Sequence, residues 1–170
     1  MTHIVITGPM GAGKTTAGRL VADRLDRKFL DSDLHIESQL DTTARQIAAE
    51  DGVPALHRVE SDSLRAALGF PEPAVIAAAA SIGDLPTLDG LIADQFLVLV
   101  DGDPEVLAAR TSAGDHRRKV SVEEYRRLAD GRRERLGSLV DLIVNVTKTP
   151  PEQTAADIVA AFQARKEAGA

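Results

Sequence analysis

The stretch Gly8-Pro-Met-Gly11-Ala12-Gly13-Lys14-Thr15 sets glycines, a lysine and a hydroxyl at the spacing of a phosphate-binding loop. Glycines let the backbone curl until successive N–H groups converge on one point, and larger side chains would keep phosphate oxygens away from it. A helix opening near Lys14 adds the positive end of its dipole. In such a loop Lys14 reaches the β- and γ-phosphates and the Thr15 hydroxyl holds Mg²⁺, while Gly8, Gly11, Ala12, Gly13 and Thr16 complete the cradle. The chemistry expected is nucleoside triphosphate binding. Further along, Asp31 and Asp33 offer two carboxylates. A carboxylate beside a hydroxyl acceptor can orient it and take its proton, and Asp33 is the candidate for that work.

These residues need a frame. Ile4, Val5 and Ile6 form a short apolar β-branched run of the kind that becomes a buried parallel strand. Ala17, Leu20, Val21 and Leu25 recur at helical spacing, which predicts a helix ending near Asp26. Lys28 to Asp33 reads as a short strand delivering both carboxylates at its end. Helices are expected over 36–40 and 44–49, a turn at 51–54, and a helix from Leu56 to Leu68. Ala74 to Ala80 fits strand or helix by periodicity, and its shortness and flanking prolines favour strand. Leu88 to Ala93 suggests a short helix, Phe96 to Val100 a strand, and Pro104 to Arg110 a helix with proline in its first turn. Residues 111–120 are polar and basic without periodicity. Ser121-Val-Glu-Glu124 is a capping box opening a helix to about Leu136. A last strand over 142–146 and a last helix over 151–166 follow. Strands alternating with helices, and apolar throughout, imply a parallel sheet covered on both faces.

Composition narrows the function. The chain has 170 residues, enough for one domain with a substantial core, and no linker or repeat divides it. A net charge of −6 and only 3% aromatic residues argue against nucleic-acid partners. The absence of cysteine excludes disulfides and thiolate chemistry. No apolar run has membrane length and no signal segment is evident, so a cytoplasmic protein without a membrane partner is expected. The expected oligomeric state is a monomer.

Phe29-Leu-Asp31-Ser-Asp33-Leu-His-Ile36-Glu37, at this distance from the phosphate loop, resembles the F-x-D-x-D-x-x-I-E motif of the shikimate kinase family. Gly52 followed by Leu56-His57-Arg58-Val59-Glu60 stands where that family has a glycine and then F-R-x-x-E. The resemblance spans essentially the whole chain, with residues 4–60 carrying most of it. It implies a three-layer α/β/α P-loop NTPase fold of the nucleoside-monophosphate and shikimate kinase type, in a single kinase domain over 1–170. It implies transfer of the ATP γ-phosphate to a hydroxyl of shikimate or a related polyol or sugar acid, with ATP and Mg²⁺. By the same resemblance Asp33 is the substrate-binding and proton-accepting aspartate, and Asp31 lies near the metal. A basic lid is expected over about 111–123, with Arg117 stabilising charge on the transferring phosphoryl group. Arg110 and Pro151 would sandwich adenine, and Arg132 would meet the acceptor's carboxylate.

The acceptor half departs from the family pattern. The family's substrate-binding arginine falls on His57. Arg58 follows one place later and is turned by roughly 100° on a helix. An imidazole holds an anion only in its protonated form, and without the planar fork of a guanidinium. The family's Gly-Gly-Gly turn falls on Ala79-Ala80-Ser81, whose side chains would occupy space that a substrate ring needs. Shikimate is therefore expected to be a poor substrate. The alternative reading is a nucleotide-binding regulatory protein without phosphoryl transfer, which the departures favour and the presence of Lys14, Thr15, Asp33 and Arg117 opposes.

Overall fold

Strand β1 (Ile4–Thr7) is buried along its length and has a parallel neighbour on each side, β3 (Ala74–Ala77) and β4 (Phe96–Asp101). β2 (Lys28–Asp31) and β5 (Leu142–Asn145) form the edges, giving a parallel sheet in the order β2-β3-β1-β4-β5. The computed structural model describes residues 2–112 and 121–169. The expected Arg117 and most of the basic segment around it lie outside the described residues.

Side chains leave a strand alternately to its two faces, and this period divides the core. Ile4 and Ile6 face one side, joined by Val98 and Val100, and pack on α1 (Lys14–Leu25) and α8 (Pro151–Ala168) through Val21, Ala22, Ile158 and Phe162. α6 (Pro104–Ser112) and α7 (Val122–Leu136) close that layer with Leu107 and Tyr125. Val5, Leu97 and Leu99 face the other side. They meet Leu64 of α4 (Val53–Leu68) together with Leu88 and Ile92 of α5 (Leu88–Ile92). The result is a three-layer α/β/α fold.

Three boundaries differ from the sequence expectation, each for a local reason. α2 (Ser32–Leu40) begins four residues earlier than expected, because Asp31 ends β2 and at once caps the helix. Asp33 therefore lies in the first turn of α2, not at a strand end. α4 begins at Val53, since Pro54 falls in its first turn, where a proline lacks no needed hydrogen bond. β3 stops at Ala77, and the chain turns into a single 3-10 turn over Ala80–Asp84. α3 (Ala44–Glu50) opens on the reciprocal Thr43–Gln46 box, and Ser121 accepts a hydrogen bond from the Glu124 N–H to start α7.

Polar contacts bind the carboxyl ends of the three left-hand strands to one another. Ser32 Oγ donates to the Ala77 carbonyl at 2.9 Å, Thr7 Oγ1 donates to the Ala79 carbonyl at 3.2 Å, and the Ala78 N–H donates to the Ile6 carbonyl at 2.9 Å. The loops above β1, β2 and β3 thus share one floor.

Leu64 is fully buried between α4 and the sheet. Leu64→Ala is expected to lower the free energy of unfolding by about 2–5 kcal/mol, with little change in the urea dependence. Urea denaturation followed by circular dichroism measures both.

Candidate active site

The loop after β1 is shaped by two different demands on glycine. At Gly8 the constraint is space, since a Cβ would lie 2.0 Å from the Val100 carbonyl oxygen. At Gly13, the N-cap of α1, it is conformation: φ is 76°, and nothing lies within 4 Å of where a Cβ would stand. The open space lies at the amino end of α1, where unpaired N–H groups and the helix dipole favour an anion. Lys14 Nζ donates to the carbonyls of Gly8 at 2.9 Å and Pro9 at 3.2 Å, so the ammonium arches over its own loop. From the opposite side the Tyr125 hydroxyl donates to the Met10 carbonyl at 2.6 Å. Burial, with the Asp101 charge adding to it, pushes the Tyr125 phenol well above its ordinary value and keeps the donor protonated.

Asp31 connects this loop to the second carboxylate. Its Oδ2 accepts from the Thr15 hydroxyl at 2.7 Å, while Oδ1 accepts from the N–H of Asp33 at 3.0 Å and of Leu34 at 3.4 Å. One carboxylate therefore joins the first turn of α1 to the first turn of α2. Asp33 is exposed on that turn.

Across the crevice stands Glu60 of α4, a buried carboxyl that accepts a hydrogen bond from Ser81 Oγ. Burial pushes its pKa up to about 7, against the lowering effect of the Ser81 hydroxyl. The Asp33 charge raises it further, whereas Arg132 and Lys14 act in the opposite sense. Residues from α1, α2, α7 and the 3-10 turn thus converge electrostatically on Glu60. The Arg132 guanidinium places both Nε and Nη2 on Asp84 Oδ2, at 3.2 and 2.9 Å. Ala80 and Arg132 line one small cavity with Thr7, Gly8 and Pro9, and Ala79 is buried beside it. His57 is half-buried on α4, and Arg58 is exposed.

A second cavity, of about 390 Å³, opens on the far side of the loop. Ala12, Gly13 and Thr16 form one wall, Arg110 and Pro151 stand on it, and the 147–150 segment closes it. Thr154 lines it too. Its buried hydroxyl has no hydrogen-bond partner among the described residues, an uncommon state for a buried polar atom.

The structure therefore brings Lys14, Thr15, Asp31 and Asp33 to one crevice and Arg110 and Pro151 to one cavity. Sequence reasoning treated Glu60 only as the close of a motif. It read Ser81 only as a missing glycine and passed over Asp84, Tyr125 and Thr154. Glu60 had a signal, a lone carboxylate on the inner side of a helix, but nothing local pairs Asp84 with a residue 48 positions away.

A family model described as shikimate kinase matches residues 10–163. The shikimate kinase of Streptomyces coelicolor is 30% identical over 153 residues, covering 88% of this chain and 89% of its own. That of Symbiobacterium thermophilum is 28% identical over 173 residues, covering 98% and 99%. Among solved structures, the Acinetobacter baumannii shikimate kinase in complex with shikimate superimposes with a TM-score of 0.88 at 24% identity, covering 98% of this chain and 95% of its own.

Two outcomes follow from the buried groups. Glu60 binds its proton more tightly folded than unfolded, so its stabilising share is complete below about pH 4.5 and is lost as pH rises through about 7. Glu60→Gln should gain on the wild type by roughly 3 kcal/mol between those limits, read from urea denaturation at a series of pH values. Thr154→Val removes the orphaned hydroxyl and should stabilise the ligand-free protein by about 1 kcal/mol, seen as a rise in Tm.

Proposed function

The chain belongs to the shikimate kinase family, and on that premise we propose that it is an ATP-dependent kinase transferring the γ-phosphate to a hydroxyl of a small polyol of the shikimate kind. The observation that carries the reading is the Asp31 bridge. It holds the Thr15 hydroxyl and the Asp33 turn on the two oxygens of one carboxylate, so phosphate loop and acceptor carboxylate keep a fixed spacing. That spacing suits a carboxylate that orients a hydroxyl acceptor toward the γ-phosphate.

ATP suits the residues present. The open front of Gly13 and the amino end of α1 favour phosphates, and Lys14 can swing from its loop carbonyls to the β- and γ-oxygens. The larger cavity, walled by the Arg110 guanidinium and the Pro151 ring, suits a flat base. Thr15 Oγ1 and Asp31 Oδ2, a hydroxyl and a carboxylate oxygen side by side, are hard donors of the kind Mg²⁺ takes. When bound there, Mg²⁺ would offset charge on the β- and γ-phosphates.

In the transfer itself, the acceptor hydroxyl oxygen forms its bond to the γ-phosphorus as the bond to the β,γ-bridging oxygen breaks, and ADP leaves. The Asp33 carboxylate receives the hydroxyl proton. Arg117, beyond the described residues, is proposed from the family pattern to stabilise the transferring group. The alternative of a nucleotide-binding regulator is compatible with the Asp31 cap but assigns no chemistry to the Asp33 carboxylate beside it.

The reading is tested by ADP release with ATP and Mg²⁺ in the presence and absence of shikimate and other polyols. Asp33→Asn should lower kcat by a factor of about 10²–10⁴ while leaving the KM for ATP within a few-fold. Equal losses in both would make Asp33 a nucleotide or folding residue instead.

A further inference from the structure

Among the described residues, three carboxyl groups stand on the acceptor side of the crevice. Asp33 stands exposed on α2, Glu60 is buried behind it, and Asp84 closes the 3-10 turn. Among the described residues Arg132 lines this side, and its Nε and Nη2 are both committed to Asp84 Oδ2. The arginine side chain is only 18% exposed, against 36% for Asp84, so the pair sits in a partly dehydrated setting where an internal carboxylate is hard to displace. The side-on edge with which a guanidinium grips a carboxylate is therefore already filled from within the protein. The neighbouring Arg133 is likewise held, by Asp101 and Asp130. His57 supplies no bidentate fork, and Arg58 points from the exposed side of α4. Lys14 is engaged at the phosphate loop.

We propose that the acceptor is an uncharged polyol, and that Asp84 excludes carboxylate-bearing acceptors by occupying Arg132. A carboxylate entering here would meet the Asp33 charge with no free side-on guanidinium edge among the described residues to receive it, and like charges at such range discriminate strongly. Hydroxyl groups meet no such barrier. They donate to the oxygens of Asp33 and Glu60 and accept from donors such as the Ser81 hydroxyl, because a hydroxyl serves in both senses. The Ser81–Glu60 hydrogen bond supplies one ready-made polar pair on the pocket wall.

This inference rests on the kinase reading only for the place where the acceptor sits, and the two can fail separately. The test compares shikimate with its methyl ester, the same ring with and without the charge, together with glucose and gluconate. Each is assayed by ADP release and by calorimetric binding in the presence of a non-hydrolysable ATP analogue. Wild-type protein is expected to favour each uncharged member by at least about 10-fold in kcat/KM or Kd. Asp84→Asn, which frees Arg132, should narrow or reverse that preference by a similar factor while still binding the ATP analogue. Tighter binding or faster turnover of shikimate or gluconate by the wild type would overturn the inference and leave the kinase reading intact. Preferential binding of the uncharged members without any ADP release would uphold the inference and overturn the kinase reading. Binding of none of them, in protein that still takes up the ATP analogue, would overturn the inference, as would an Asp84→Asn variant with unaltered preference.

Discussion

One carboxylate holds the phosphate-loop side of the crevice together. Asp31 ends an edge strand, caps the next helix and accepts the hydroxyl of the residue that follows the phosphate-loop lysine. Each of these contacts is modest taken singly, since a cap or a hydrogen bond contributes on the order of 1 kcal/mol. Their worth lies in being made by one side chain, so the two loops cannot drift apart without breaking all of them. The floor beneath is fixed in the same manner by Ser32 and Thr7, which tie β2 and β1 to the backbone leaving β3. A crevice between strand ends is where parallel α/β sheets place their ligands, and here side-chain contacts with backbone carbonyls make it rigid.

The side of the crevice around Glu60 follows a different logic. A buried carboxyl such as Glu60 is costly to ionise, and the Ser81 hydroxyl and the distant cations only partly offset that cost. The group survives in the core because it is hydrogen-bonded and can remain protonated near neutrality. Asp84 and Arg132 solve the parallel problem by neutralising each other. The site is thus internally satisfied, with few unmet charges demanding an ionic ligand.

Much of this was legible in the residues. The β-branched run before Gly8, the apolar run ending at Val100 and the cap at Ser121 are local signals with local causes, and each element lies close to where its pattern puts it. The phosphate loop was legible for the same reason, because its geometry is written in consecutive residues. The start of α2 was hidden because Asp31 belongs to a strand and a cap at once, and a reading by segments assigns it to one. The early end of β3 was hidden because four consecutive alanines, beginning at Ala77, carry no periodicity. The pairing of Asp84 with Arg132 and of Ser81 with Glu60 depends on how distant elements meet. No local pattern encodes such meetings, so the charge balance around Glu60 and Asp84 emerges only in three dimensions.

The packing of α1 has a temporal side. Val21 and Ala22, on the helix that begins at Lys14, are covered by Ile158 and Phe162 of α8, whose first residue Pro151 also stands on the larger cavity. During synthesis the phosphate loop leaves the ribosome early, yet the helix that steadies it and one wall of the cavity arrive much later in the chain. A nascent chain lacking α8 carries the glycine-rich motif without the support that shapes it. The support of the loop is thus completed only once α8 has emerged, and a chain cut short before α8 lacks it.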